Sequence, residues 1–215
     1  MTDLHCGISL PSINVHCGVC RKCSAQSKSA YYFNRDLTTS QVLVQKLKNL
    51  VQSETDYTCA DPTEFKHPDI RVLNSQGQLV CRIEAKMLED KPFMKLREKI
   101  EGCDLYPKET IVVDYPKLQS YIARAHSDGH IPTYVVWHLG RPCADIGGIT
   151  IFQNILYLEK ILCQMGERRF YGRRTGAGDF VDGAKLGITG KYHFSVRECR
   201  PIEELIPEIR SLKQP

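Results

Sequence analysis

"HPDIRVLNSQGQLVCRIEAKML", residues 67–88, is the stretch on which the fold turns. Pro68-Asp69 opens one short apolar run, a polar turn follows at Asn74–Gly77, and a second run carries Glu84-Ala85-Lys86. Successive side chains of a strand point to opposite faces. In the second run Val80, Arg82, Glu84 and Lys86 therefore share one face, and Leu79, Cys81, Ile83, Ala85 and Met87 the other. In the first run Asp69 and Arg71 share a face, with Ile70 and Val72 opposite. A hairpin closing at Asn74–Gly77 predicts Asp69 across from Arg82 and diagonal to Glu84, about 7–8 Å apart. A slip of one residue at the turn would change that register.

Two carboxylates at this separation repel unless a cation or proton lies between them. Mg²⁺ takes oxygen ligands, typically one or two carboxylates with water and phosphate. A bound Mg²⁺ acidifies and orients a water and neutralises charge developing on phosphoryl oxygen. Lys86 adds a positive point charge that holds the attacking water or the phosphate. Asp69, Glu84 and Lys86 thus form a minimal set for phosphodiester hydrolysis, with Asp69 and Glu84 as Mg²⁺ ligands. The plain alternative is a two-stranded ribbon whose Arg82, Glu84 and Lys86 make a solvated face.

"PD", 14 intervening residues and then "EAK" on an apolar strand resembles the signature of the PD-(D/E)xK nuclease superfamily, the restriction-endonuclease-like group. The resemblance covers about residues 38–139. It implies a metal-dependent nuclease fold, a helix before the ribbon and a helix and strand after it. It also implies that the Ala85 carbonyl joins the ligands and that Lys86 is the catalytic lysine. Many members carry a further acidic residue on the preceding helix; here Gln45 and Glu54 are the available positions.

Outward from the ribbon the pattern alternates helix and strand, an α/β fold with one central mixed sheet flanked by helices. "TTSQVLVQKLKNLV" from Thr38 reads as a helix with Leu43, Leu47, Leu50 and Val51 inward and Thr38–Gln41 as a capping box. "DKPFMKLREKIEG" reads as a helix started by Asp90 and Pro92. "ETIVV" (109–113) reads as a short buried strand, "PKLQSYIARAHSDG" as a helix and "IPTYVVWHL" (131–139) as a central strand. After a polar turn at 140–148, "ITIFQNILYLEKILCQMG" reads as one long helix. "KYHFSVREC" is a last strand and "PIEELIPEIRSL" a last helix. "HSDGH" (126–130) reads as a helix-ending turn, and His138 as a core or rim histidine.

At 215 residues, 42% hydrophobic and 25% charged, the composition is that of an ordinary globular domain. No apolar run reaches the roughly 18–20 residues of a membrane span, and the first residues lack a signal-peptide pattern. A cytoplasmic protein is expected. No Walker-type loop is present, so no nucleotide cofactor is expected.

Of ten cysteines, Cys6, Cys17, Cys20 and Cys23 crowd the N-terminus and the rest are scattered. In a reducing compartment the cluster reads as metal ligands, giving a zinc-binding arm at 1–30 ahead of a nuclease domain at 31–215. His5 or His16 could substitute; an iron–sulfur cluster or no metal are the alternatives.

Residues 160–200 hold nine Lys or Arg against four Asp or Glu, an excess of +5 where the whole chain has +4. Arg168, Arg169, Arg173 and Arg174, interleaved with Phe170 and Tyr171, form a candidate grip on nucleic-acid phosphates, and Lys185, Lys191 and Arg197 extend it. A flexible solvated loop is the other reading. The expectation is a Mg²⁺-dependent endonuclease acting on double-stranded DNA, of type II restriction kind and dimeric by analogy. A structure-selective repair or resolvase nuclease would use the same residues. The rival class is a non-catalytic, zinc-containing nucleic-acid-binding protein.

Overall fold

The computed structural model describes residues 30–64, 67–89, 96–141, 146–172, 180–181, 184–185 and 190–212. Cys6, Cys17, Cys20 and Cys23 lie outside the described residues, as do Asp90, Pro92, Arg173 and Arg174.

The described residues open with α1 (Ala30–Glu54), followed by β1 (Thr58–Ala60), β2 (Ile70–Leu73) and the long β3 (Leu79–Glu89). Next come α2 (Leu96–Lys99), β4 (Thr110–Asp114), α3 (Tyr115–Ser127) and β5 (Thr133–Arg141). They are followed by β6 (Ile146–Asn154), α4 (Ile155–Met165), β7 (Phe170–Gly172), β8 (Phe180–Val181) and β9 (Ala184–Lys185). The last elements are β10 (Gly190–Ser195), β11 (Arg200–Pro201) and α5 (Leu205–Ser211).

A six-stranded sheet in the order β1-β2-β3-β5-β6-β11 forms the centre. β3 and β5 run parallel and the other neighbours antiparallel, so the sheet is mixed. One face packs on α1 and α5, where Leu43, Leu47, Val51, Leu205 and Ile209 meet Ile70, Val72, Ile83, Tyr134 and Val136. The other packs on α3 and α4, with Leu118, Tyr121, Leu158 and Ile161 against Val135, Trp137, Leu139 and Ile151. Each such buried side chain contributes roughly 1.5–3 kcal/mol relative to exposure. Helices on both faces explain the continuous apolar run of β5.

Sequence and structure differ at four places. The pattern predicts one sheet that includes residues 109–113; β4 instead belongs to a second, three-stranded sheet, β4-β10-β7, that packs beside α3. The two sheets are tied where the Trp137 indole N–H donates to the Val112 carbonyl at 3.1 Å. Residues 149–165 are not one helix. Ile149, Thr150, Ile151 and Phe152 belong to β6, and α4 starts only where the Asn154 side chain accepts the Leu156 N–H at 2.9 Å. Thr38 and Gln41 lie inside α1 and so do not cap it.

The fourth difference is the β2–β3 register. Ile70 pairs with Ile83 and Arg71 with Arg82, so Asp69 faces Glu84 and not Arg82. Asn74 closes the turn by accepting the N–H groups of Gln76 and Gln78, with Gly77 at φ +77°. The pair beside it, Leu73–Leu79, is one step out of the expected register, and an irregularity between Val72 and Leu73 adds another. Two one-residue steps restore the original parity, so Asp69, Arg82, Glu84 and Lys86 keep their predicted face. Beside the irregularity, Val80 joins Cys81 and Ile83 in the core and Leu79 lines a cleft with Arg71 and Arg82.

His193 on β10 is 1% exposed, and its Nδ1–H donates to the Arg169 carbonyl at 3.1 Å. Burial pushes this imidazole down to about 4, against the opposing pull of that hydrogen bond. The native state stays neutral where the unfolded chain takes up a proton, so the stability contributed by His193 falls as pH drops from about 6.5 toward 4. Asp69, raised to about 6, acts in the opposite sense over an overlapping range. The stability gap between wild type and His193→Gln isolates the histidine. It should shrink by about 2 kcal/mol between pH 7.5 and pH 5 in urea unfolding; a constant gap would show that native His193 protonates normally.

Candidate active site

β2 and β3 bring Asp69 and Glu84 face to face, and the Ala85 N–H donates to Asp69 Oδ2 at 2.8 Å. That bond turns the Asp69 carboxylate toward β3. Asp69 Oδ1 has no hydrogen-bond partner among the described residues. Glu84 is 1% exposed, far from the solvated face that residue type alone allows. It stays charged because three groups reach it: Lys86 Nζ at 3.1 Å and Lys117 Nζ at 3.1 Å, both to Oε1, and the Tyr121 hydroxyl donating to Oε2 at 2.7 Å.

Lys117 and Tyr121 come from α3, which crosses above β3. Pro116 in its first turn suits helix initiation, and Asp114 occupies the N-cap. Leu118, Tyr121 and Ala125 anchor the helix in the core, which holds the neighbouring Lys117 over Glu84. Neither Lys117 nor the polar role of Tyr121 is legible in the sequence. The helix period marks Tyr121 as inward, but which sheet residue it meets depends on the crossing of α3 over β3.

The electrostatics reflect this packing. Burial works to raise the Glu84 carboxyl, but Lys86, Lys117 and Tyr121 outweigh it and hold the group below the usual range. Burial pushes the Asp69 carboxyl up to about 6, with Glu84 adding to the rise and the Ala85 N–H, Lys117 and Lys86 opposing it. For Lys86 burial favours the neutral amine, yet Glu84, Asp114 and Asp69 more than compensate and keep it an ammonium. The site is a carboxylate pair of unequal basicity beside a cation.

Two carboxylates in a partly dry setting, one already strained by the other's charge, suit an oxygen-seeking divalent ion. The free oxygen of Asp69 and the carboxylate of Glu84 could serve as its donors. Among the described residues no group of three or more His, Cys, Asp and Glu side chains gathers for a metal, at this pair or elsewhere. The positions considered on α1 do not contribute. Gln45 donates to Asn49, and Glu54 meets Arg210 at the exposed end of the helix.

The arginine group divides. Arg168 is exposed. Arg169 is 4% exposed, and its guanidinium is spent on Asp104 at 2.6 Å and Glu198 at 2.7 Å. A guanidinium buried between two carboxylates is a structural group, so the expected phosphate contact at Arg169 is withdrawn. Lys191 and Arg197 pair with Asp114 and Glu109 respectively. The His138 Nδ1 lies 2.8 Å from the Thr150 hydroxyl, as a rim histidine would. No described helix is long and apolar enough to cross a membrane.

No protein-family model matches the chain, and no curated protein does. Three solved chains match. One is Hjc, a Holliday junction resolvase of Archaeoglobus fulgidus, with 12% identity over 79% of this chain and 96% of that one, at a TM-score of 0.40. A likeness of that size decides neither fold nor function. The geometry of Asp69, Glu84 and Lys86 carries the functional reading instead.

Removing one partner of a buried ion pair strands the other charge and typically costs about 3–5 kcal/mol. Arg169→Ala should lose stability on that scale in urea unfolding, whereas Arg168→Ala should stay within about 0.5 kcal/mol of wild type. Equal effects would overturn the division between them.

Proposed function

We propose that the protein is a Mg²⁺-dependent nuclease that hydrolyses phosphodiester bonds in double-stranded DNA, with Asp69, Glu84 and Lys86 as its catalytic residues. The observation that carries this reading is the juxtaposition of Asp69 and Glu84 across β2 and β3, with Lys86 on the same carboxylate. The resemblance of "PD…EAK" to the PD-(D/E)xK pattern points the same way. Positioned on two strands and one helix, these groups sit on the rigid part of the fold.

Asp69 and Glu84 would hold the divalent ion. When bound, the ion supplies a Lewis acid against phosphoryl charge and lowers the pKa of a coordinated water. Lys86, kept charged by its acidic surroundings, orients the attacking water or a phosphate oxygen and stabilises the negative charge that builds during displacement. Lys117 and Tyr121 hold Glu84 in one rotamer and keep it ionised. Tyr121 does not titrate in any useful range, since burial and Glu84 push its hydroxyl up. It is a positioning group. A zinc site at Cys6, Cys17, Cys20 and Cys23, phosphate contacts from Arg168, Arg173 and Arg174, and a dimer remain parts of the same proposal.

The restriction-type and structure-selective readings share every residue of this centre and separate by substrate. Purified protein with Mg²⁺ should convert supercoiled plasmid to nicked or linear forms. EDTA, Glu84→Ala and Lys86→Ala should each reduce the rate at least about 100-fold while circular dichroism stays unchanged. Discrete fragments identify a sequence-specific enzyme; cutting confined to branched DNA identifies a structure-selective one. Normal cutting by Lys86→Ala would refute the assignment. No cutting, with salt-sensitive DNA binding retained, would favour the non-catalytic binding protein.

A further inference from the structure

A small pocket of about 160 Å³ opens beside the carboxylate pair, lined by His67, Pro68, Arg71, Leu79, Arg82 and Arg124. A volume of that size admits a tetrahedral oxyanion with its waters. Pro68 immediately precedes Asp69. Arg82 lies two residues before Glu84 on the same face of β3, about 7 Å along an extended strand.

The arginines come together by construction. Arg71 and Arg82 are direct cross-strand partners on β2 and β3, where like charges repel. Arg124 descends from α3, one turn beyond Tyr121, so the helix face that covers Glu84 also covers Arg82. One carboxylate answers the three: Asp128, just after α3, pairs with Arg82 Nη2. The Thr63 hydroxyl lies 3.3 Å from His67 Nδ1, and Glu64 Oε2 lies 2.9 Å from Nε2 without hydrogen-bond geometry. Neither Arg71 nor Arg124 has an ion-pair partner among the described residues. The Arg82 side chain is 8% exposed, and its Nη1 is buried without a hydrogen-bond partner among those residues, as is Arg124 Nε. Buried charged donors left unpaired are costly, and three guanidinium groups around a small cleft are an arrangement that one tetrahedral oxyanion completes.

We propose that this pocket is a phosphate subsite. It holds a phosphate group of the nucleic-acid strand next to the one at Asp69 and Glu84, which fixes the strand's position along β3. The proposal rests on the nuclease reading for the identity of the strand, though not for the presence of the anion site. The phosphate has two possible sources, an internal phosphodiester or a 5′-terminal monoester. The two are chemically alike in the pocket, but the terminal group carries the greater charge.

The test is fluorescence anisotropy in EDTA, where no cutting occurs, using a labelled DNA duplex with either 5′-phosphate or 5′-hydroxyl ends. Arg71→Gln and Arg124→Gln are the variants, because Arg82 also ties the end of α3 to β3 and its replacement risks unfolding. Each variant should weaken binding about tenfold and reduce the slope of log affinity against log salt by about 0.9, one phosphate contact. If the ligand is a terminal phosphate, wild type prefers the phosphorylated duplex and each variant loses that preference. If it is internal, both duplexes bind alike and both weaken in the variants. Folded variants that bind both duplexes with wild-type affinity and salt slope would overturn the subsite, as would a wild-type protein that binds neither. Parallel plasmid assays with Mg²⁺ keep the two claims apart. Scission by wild type alongside unaltered binding by the variants defeats the subsite alone. Arginine-dependent binding without scission defeats the nuclease reading alone.

Discussion

The buried carboxylate of Glu84 is the constraint around which this half of the molecule is organised. A carboxylate taken out of water is tolerated only when donors and opposite charge replace the solvent. Here the replacement comes from its own strand through Lys86 and from α3 through Lys117 and Tyr121. The helix must therefore cross β3 at one height. The same crossing places Leu118 and Ala125 in the core, so apolar packing and polar satisfaction demand one geometry. That agreement between levels is what lets a charged residue stand in the middle of a sheet.

The pairing extends along both elements. On β3 the even-numbered face reads Arg82, Glu84, Lys86, positive, negative, positive. Opposite it, α3 and its flanks supply Asp128 to Arg82, Lys117 to Glu84, and Asp114 to the field around Lys86. Asp69 stands outside this ladder. It enters from β2, is tethered through the Ala85 N–H, and receives less compensating charge than Glu84 does. The less compensated carboxylate is the one with an oxygen to spare.

A second buried ion cluster does a different job. Arg169 joins Asp104 and Glu198, while Glu198 also accepts the Ser195 N–H and the Gln153 side chain donates to the Glu198 carbonyl. Its members come from the segments around β7, β10 and β6, so it fastens the three-stranded sheet to the central one. Both its carboxylates are answered by the one Arg169 guanidinium. Burial alone does not mark a functional group.

How much of this is legible in the residues depends on the reach of each signal. Strand alternation is local, so the faces of Asp69, Glu84 and Lys86 are readable from residues 67–88 and survive a register two residues away from the expected one. The helical period is equally local, and it marks Leu118, Tyr121 and Ala125 as inward. What the chain alone leaves open is every relation that depends on two distant elements meeting. Lys117 on Glu84, Arg169 between Asp104 and Glu198, Arg124 beside Arg71 and Arg82, and the assignment of β4 to a second sheet are all of that kind. The strand–helix break at Asn154 escapes a sequence reading because an amphipathic helix pattern and a β-branched run share the same residues there, and only pairing with β5 resolves them. Periodicity determines which way a side chain points; only tertiary packing decides what it meets, because partners far apart in the chain are chosen by the joint burial of apolar faces and the need to pair each buried charge.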